Sequence, residues 1–286
     1  MRTYLDCYAC FLRQALSAAR MVTADEAAQL DVVTGTLALL QSLPPGTTPP
    51  AIAHDVHRLV RERLGDSDPY ATAKAESTRA ALALYPRLKA LVAASPDPLD
   101  AAVRVAIAGN IIDLGVSDDV PDLWATVEHV MAVPLVIDHL AELRSALAAA
   151  HHVLYLADNA GETVFDRVLI EALDPPVLYA VKGGPVLNDA TRQDALAAGL
   201  ETCASIIENG SRAPGTILEL CSDEFRDTFE RAPLIIAKGQ ANYETLSEAG
   251  PRVFCLLQVK CPVIADDMHA PVSSAVVRQS VRRPSQ

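Results

Sequence analysis

Four short polar segments hold the residues best suited to chemistry. They are Asp158-Asn159-Ala160-Gly161-Glu162, Lys182-Gly183-Gly184-Pro185-Val186-Leu187-Asn188-Asp189, Glu208-Asn209-Gly210 and Lys238-Gly239-Gln240-Ala241-Asn242-Tyr243-Glu244. Each follows directly on a short aliphatic run. Asp158, Asn159 and Asp189 offer hard oxygen ligands with no His or Cys among them, a donor set that suits Mg²⁺ or Mn²⁺, with Co²⁺ and Ni²⁺ as further candidates. Two carboxylates leave such an ion nearly neutral. Its remaining positions can then take water and a phosphate oxygen, while Lys182 and Lys238 offset the rest of the phosphate charge. That constellation fits phosphoryl transfer to water, with Asp189 or Glu162 as the candidate base.

Asp, Asn and Gly are also the ordinary residues of turns and helix N-caps. Turn chemistry, however, gives no reason for a lysine immediately after two different strands, where its charge must face a site or lose solvation. Other phosphate and nucleotide chemistries fit less well. An aspartyl nucleophile needs an acid two residues on, and Ala160 occupies that position. No G-x-G-x-x-G follows the first strand, and a P-loop is absent.

The elements that must position these segments follow from hydrophobic periodicity. After His151 the chain alternates β-branched or aliphatic runs (153–156, 177–181, 205–207, 234–237 and 253–257) with helical patterns such as 164–172 and 191–198. Apolar strands alternating with helices predict a doubly wound, mostly parallel α/β sheet covered on both faces, a Rossmann-like three-layer arrangement. Ligands bind such sheets outside the carboxyl ends of the strands, where the four polar segments fall. Before residue 150 the apolar residues recur at helical spacing, predicting helices over 4–20, 24–43, 50–64, 71–95, 99–114, 123–130 and 137–149. The expected organisation is therefore an N-terminal all-α domain (1–150) packed on an α/β catalytic domain (151–272), with a frayed, Arg-containing tail over 273–286.

The formal net charge of −12 provides no basic footprint for nucleic acid, so a bound anion must be met by a few local cations. No apolar run is long enough to span a membrane, and the start of the chain has no apolar signal core, so a cytoplasmic location is expected. Six cysteines are too sparse for a disulfide scaffold. Cys7 and Cys10 share one face of a predicted helix, and Cys261 follows a late strand. Buried thiols, a redox pair and a metal site are all open readings for them, although no second CxxC or His pair completes a zinc set. The histidines fall outside the strand-end motifs and read as packing or surface residues.

Taken in order and spacing, the strand-end motifs resemble the metal-dependent damage-control phosphatases. So do Ala213-Pro214-Gly215-Thr216, Cys7-Tyr8-Ala9-Cys10, Asp68-Pro69-Tyr70, Gly109-Asn110-Ile111-Ile112-Asp113 and Lys260-Cys261-Pro262. The resemblance extends from about residue 4 to about residue 270. It implies a helical unit on an α/β unit, a divalent ion at Asp158, Asn159 and Asp189, and small phosphorylated metabolites such as sugar phosphates as substrates. It further implies that Lys238 contacts phosphate and that Asn110, Asp113, Glu162 and Asn242 help to line the pocket, where Lys182, Asn188 and Glu244 are also expected. Some members have been proposed to methylate acidic residues, so an S-adenosylmethionine-dependent carboxyl methyltransferase is one alternative. A non-catalytic phosphometabolite binder is the other.

Overall fold

The computed structural model of the chain describes residues 3–65, 68–110 and 122–282. Helices α1 (Leu5–Val22), α2 (Glu26–Gln41) and α3 (Pro49–Leu64) pack as a three-helix unit around Phe11, Ala15, Val32, Ile52, Val56 and Val60. Their ends follow local chemistry. The Asp25 side chain caps α2 by accepting from the Ala27 amide, and Pro49-Pro50 opens α3 where missing N–H groups cost nothing. Next come α4 (Ala71–Ala94), α5 (Pro98–Gly109), α6 (Leu123–Ala132) and α7 (Leu140–Ala149).

One sheet organises the rest. Its strands are β1 (Ile137–Asp138), β2 (Val153–Leu156), β3 (Val177–Val181), β4 (Ser205–Glu208), β5 (Ile235–Lys238), β6 (Val253–Gln258) and β7 (Ala275–Gln279), in the order β1-β7-β6-β5-β2-β3-β4. Strands β2 to β6 run parallel to their neighbours; β7 is antiparallel to β6, and β1 is parallel to β7. Helices α8 (Thr163–Ile170), α9 (Arg192–Ala197), α10 (Asp223–Arg231), α11 (Gln240–Leu246) and α12 (Pro262–Met268) connect the strands. From β2 the chain builds outward through β3 and β4, then returns to lay β5 and β6 on the other side of β2. That reversal leaves a crevice between the carboxyl ends of β2 and β5.

Two expectations give way here. The described part of the expected tail, 273–282, is not frayed: Val276 and Val277 are fully buried in β7, and Arg282 pairs as an isolated bridge with Ala249, while 283–286 lie outside the described residues. The helix expected from Ile137 begins at Leu140, because Ile137 and Asp138 pair with Val276 and Val277. Both misreadings come from runs too short to show a period. The helical half also divides differently from the expected boundary. Residues of α4, α5 and α6 share one hydrophobic cluster with β2, β3 and α8, including Ala106, Ile107, Tyr155, Phe165 and Tyr179. Only α1 to α3 have a cluster of their own, to which Leu187 of the β3 loop adds a contact. Among the described residues, no helix is long and apolar enough to cross a membrane.

His57 sits in that three-helix unit at 4% exposure, its Nε2 buried without a hydrogen-bond partner. Burial first, then the charges of Arg61 and His54, pull its imidazole down from 6.5 to about 3. Because the folded-state value is depressed, the unfolded chain takes up a proton between those two values and the folded chain does not. The stabilising contribution is complete above pH 6.5 and is lost as pH falls toward about 3. Leucine fills a similar space and does not titrate. The expected outcome for His57→Leu is little change in unfolding free energy at pH 7. Its acid-side slope should be shallower by up to about 1.4 kcal/mol per pH unit, measured by urea denaturation between pH 7 and 4.

Candidate active site

The turn after β2 forms the centre of the crevice. Asp158 is 7% exposed and Asn159 is 3% exposed, and an isolated antiparallel bridge pairs Asn159 with Asp189 from the loop after β3. Two backbone bonds lock the loops together: the Ala190 amide donates to Asp158 O at 2.8 Å, and the Ala160 amide donates to Asn188 O at 2.9 Å. Gly239, directly after β5, closes the other side. It adopts φ +81°, and a Cβ there would stand 1.9 Å from Asp158 Oδ2, so the carboxylate occupies space that only glycine leaves open.

Two amides hold the acids in place. Asn110, at the end of α5, donates through Nδ2 to Asp158 Oδ2 at 2.9 Å and to Glu162 Oε2 at 3.1 Å, and its Oδ1 accepts from the Gln258 amide at 3.2 Å. Asn159 Nδ2 donates to the same two oxygens, at 2.9 Å and 3.1 Å. With its N–H groups used in this way, the Oδ1 carbonyl is the atom Asn159 can offer to a cation.

Below this layer lies a buried charge network. Lys238 is fully buried at the end of β5, and its ammonium donates to Ala106 O at 2.9 Å, to Asp166 Oδ1 at 2.8 Å and to Glu162 Oε1. The hydroxyls of Tyr155 and Tyr179, paired residues on β2 and β3, each donate to Asp166 at 2.7 Å. Burial, followed by the Asp166 charge, raises both phenols far above their ordinary range, so they remain donors. Burial also pushes the Asp166 carboxyl up against the pull of Lys238. Its three donors nonetheless form the pattern expected of an ionised acceptor. Burial pulls the Lys238 ammonium down, but Asp166 and Glu162 outweigh it and raise the ammonium above its usual value.

Four carboxylates (Asp158, Glu162, Asp166, Asp189) and two ammonium groups (Lys182, Lys238) are thus buried together, none above 7% exposed. Burying so many ionisable groups in one place is costly unless cations and hydrogen bonds meet the acids. The groups facing the crevice are two carboxylates and an amide carbonyl, so the residues present fit a hard divalent ion. Among the described residues, no three His, Cys, Asp or Glu side chains converge on one metal position, so the amide oxygen is an essential part of this set.

Several sequence-derived roles change. The three N–H donors of Lys238 are all taken by protein acceptors, so it positions Glu162 and Asp166 rather than contacting phosphate. Asn242 donates to Ala157 O at 3.2 Å and Lys238 O at 2.8 Å while accepting from Thr216 Oγ1 at 2.7 Å; it ties loops together and has no donor left for a ligand. Glu162 is saturated by Lys238, Asn110 and Asn159. Glu244 faces another way, held by Gln240 Nε2 at 3.0 Å; burial first, and the nearby Glu244 charge after it, raise the thiols of Cys7 and Cys261. Burial, the largest cause, lifts the Glu244 carboxyl itself to about 7. Lys182 remains at the centre, its ammonium 3.3 Å from Asp189 Oδ2 and bonded to Gly215 O. Asn188 is buried in the same loop. Asp113 lies outside the described residues. Cys7, Cys10 and Cys261 are free thiols, and the metal-converging arrangement one of their readings required is absent among the described residues.

The sequence reading missed Asp166, Tyr155 and Tyr179. A signal was there: Asp166 follows Glu162 by four residues, the spacing that puts the residue just before α8 and one in its first turn on the same side, and each tyrosine interrupts an otherwise aliphatic strand.

Comparison with known proteins agrees with this architecture. A family described as the damage-control phosphatase ARMT1-like domain matches residues 3–276. A damage-control phosphatase of Pyrococcus horikoshii is 35% identical over 282 residues, covering 96% of this chain and 97% of that protein. One from Archaeoglobus fulgidus is 33% identical over 283 residues, covering 95% and 97%. The crystal structure of a DUF89 family protein from P. horikoshii superimposes with a TM-score of 0.89 at 33% identity, covering 98% of this chain and 99% of that one.

The hydrogen-bond arrangement predicts unequal effects on stability for two changes in the site. Lys238→Met removes the ammonium that faces the buried Glu162 and Asp166 and is expected to cost roughly 3–5 kcal/mol. Asp158→Asn keeps an oxygen to accept from Asn110 and Asn159 and is expected to cost the metal-free protein less. Urea unfolding of metal-stripped protein at pH 7.5 checks both; a larger loss for Asp158→Asn than for Lys238→Met would refute the bracing role of Lys238.

Proposed function

The chain belongs to the damage-control phosphatase ARMT1-like domain family, and from that premise we propose that it hydrolyses small phosphorylated metabolites at the β2/β5 crevice. It is a phosphatase by family. The observation that carries the site assignment is the convergence of Asp158, Asn159 Oδ1 and Asp189 at the strand ends, held together by the Asn159–Asp189 bridge and the Ala190 amide bond to Asp158 O. Those three residues would hold a divalent ion, and their all-oxygen chemistry favours Mg²⁺ or Mn²⁺. Once bound, such an ion supplies Lewis-acid polarisation of a phosphoryl oxygen and a lowered pKa for water.

The remaining work falls to the chain. Asn110 and Asn159 fix the Asp158 carboxylate before substrate arrives, which lowers the reorganisation needed during reaction. Lys182, beside Asp189, is the cation available to a phosphate oxygen: two of its contacts are named above, and an ammonium has three donors. Of the two candidate bases, Glu162 is committed to Lys238, Asn110 and Asn159. Asp189 is left to accept the proton from the attacking water. The low exposure of Asp158, Asn159 and Asp189 supports a reaction kept from bulk water.

Phosphate release from an aryl phosphate and a panel of sugar phosphates, using metal-stripped protein with one divalent ion restored at a time, tests the reading. Release should require a metal and vanish in Asp158→Ala; metal-dependent release that survives this substitution would rule out the assigned centre. Independently of activity, a divalent ion at 100 times its Kd should stabilise the wild type by about 2.7 kcal/mol and stabilise Asp158→Ala and Asp189→Ala far less.

A further inference from the structure

Between α4, the start of α9 and the carboxyl ends of β3 and β4 lies a cavity of about 660 Å³, with Lys74, Asp194 and Lys182 on its wall. Lys74 projects from the first turn of α4 with only 4% of its side chain exposed. A lysine is buried to that extent only where it is paired. Burial works against its charge, but its hydrogen bonds to Asp68 and Asp194 outweigh burial and hold the ammonium above its usual value.

The two acids come from different parts of the chain. Asp68 Oδ2 lies 2.9 Å from the ammonium, and Asp68 Oδ1 accepts from the amide of Tyr70, a residue packed into the core of the three-helix unit. Asp194 Oδ2, also 2.9 Å away, stands in the first turn of α9. There it accepts from the Thr191 amide at 2.9 Å and from Thr191 Oγ1 at 2.6 Å, closing a capping box. The box leads straight to the centre. Thr191 bridges Lys182, the Lys182 amide donates to Ala190 O at 2.9 Å, and the Ala190 amide donates to Asp158 O at 2.8 Å. Asp189 is two residues before Thr191, within about 7 Å along the chain, so a displacement of the cap displaces the candidate ligand. A capping box fixes α9 only against its own preceding turn; Lys74 ties that box to α4, a helix that shares the core of the sheet.

Taking the divalent-ion reading of the centre as its basis, we propose that Lys74 is a positioning residue for Asp189: acting through Asp194 and Thr191, it holds the loop after β3 at the spacing from Asp158 and Asn159 that an ion requires. The same ammonium joins the Asp68-Pro69-Tyr70 segment to that loop, which gives this sequence motif a mechanical role.

Calorimetric titration of metal-stripped, full-length protein with Mn²⁺ in the absence of substrate tests the assignment. Lys74→Met should raise the Mn²⁺ Kd about 10–100-fold, the usual effect of removing a group that orients a metal ligand. The near-isosteric Asp194→Asn should raise it severalfold or more, and it decides alone should Lys74→Met fail to fold. Arg252→Met is the control: it also removes one positive charge, together with bonds to the carbonyls of Phe229, Glu230 and Ala232 beside the amino ends of β5 and β6, and should leave the Kd unchanged. In metal-free protein, hydrogen exchange at the Lys182 and Ala190 amides should quicken in the Lys74 and Asp194 variants and not in Arg252→Met. A Kd unmoved in both variants, a Kd raised as far in Arg252→Met, or exchange at the two amides as slow as in the wild type overturns the proposal and leaves the ion reading intact. Absence of binding by the wild type with either Mn²⁺ or Mg²⁺ overturns the ion reading and the inference with it.

Discussion

Lys238 ends β5 with its ammonium sealed from solvent, and an isolated charge there would be prohibitively expensive. Acceptors must therefore come to it from three directions: Ala106 O from α5, Glu162 from the turn before α8, and Asp166 from the first turn of α8. Meeting that demand fixes much else. It seats α5 against the sheet, orients α8, and holds Glu162 where Asn110 and Asn159 can share it with Asp158. The tyrosines on β2 and β3 complete the coordination of Asp166 from below. A lysine that looked like a substrate contact is the brace on which the contact layer rests.

Above the brace, the site is built from loops that would have little reason to stay ordered separately. The β2 turn, the β3 loop and the Gly239 turn interlock through backbone bonds and one close approach, and each places a single oxygen-bearing group toward the crevice. The cost is a concentration of buried ionisable groups, and it coincides with the topological switch point, where open α/β sheets bind their ligands.

The helical half divides its labour. Helices α4 and α5 are structural partners of the sheet, since they share its core and deliver Asn110 and the cavity wall. Helices α1 to α3 form a smaller cluster that meets the catalytic half at Leu187, and around Cys7, Glu244 and Cys261. The β3 loop carries both Asp189 and the Leu187 contact, so the outer helices abut the same loop that supplies a candidate ligand.

The amino-acid sequence by itself determined the five parallel strands, most of the helices and the polar strand ends, because these rest on local periodicity and on residue types placed beside aliphatic runs. It also offered Asp158, Asn159 and Asp189 as candidate ligands, since they are hard oxygen donors at successive strand ends. The tertiary structure decided the rest. Whether Lys238 meets a phosphate or two buried acids depends on where α8 and α5 fall, and neither position is encoded near Lys238. Glu244 looks equivalent to Asn242 in the sequence, yet the helical turn of α11 sends one toward Cys7 and Cys261 and the other under the β2 turn. Strand β1 was invisible because two residues carry no pattern, and β7 becomes a strand by pairing with β6 along its length and with β1 at its start, partners that only the fold brings to it.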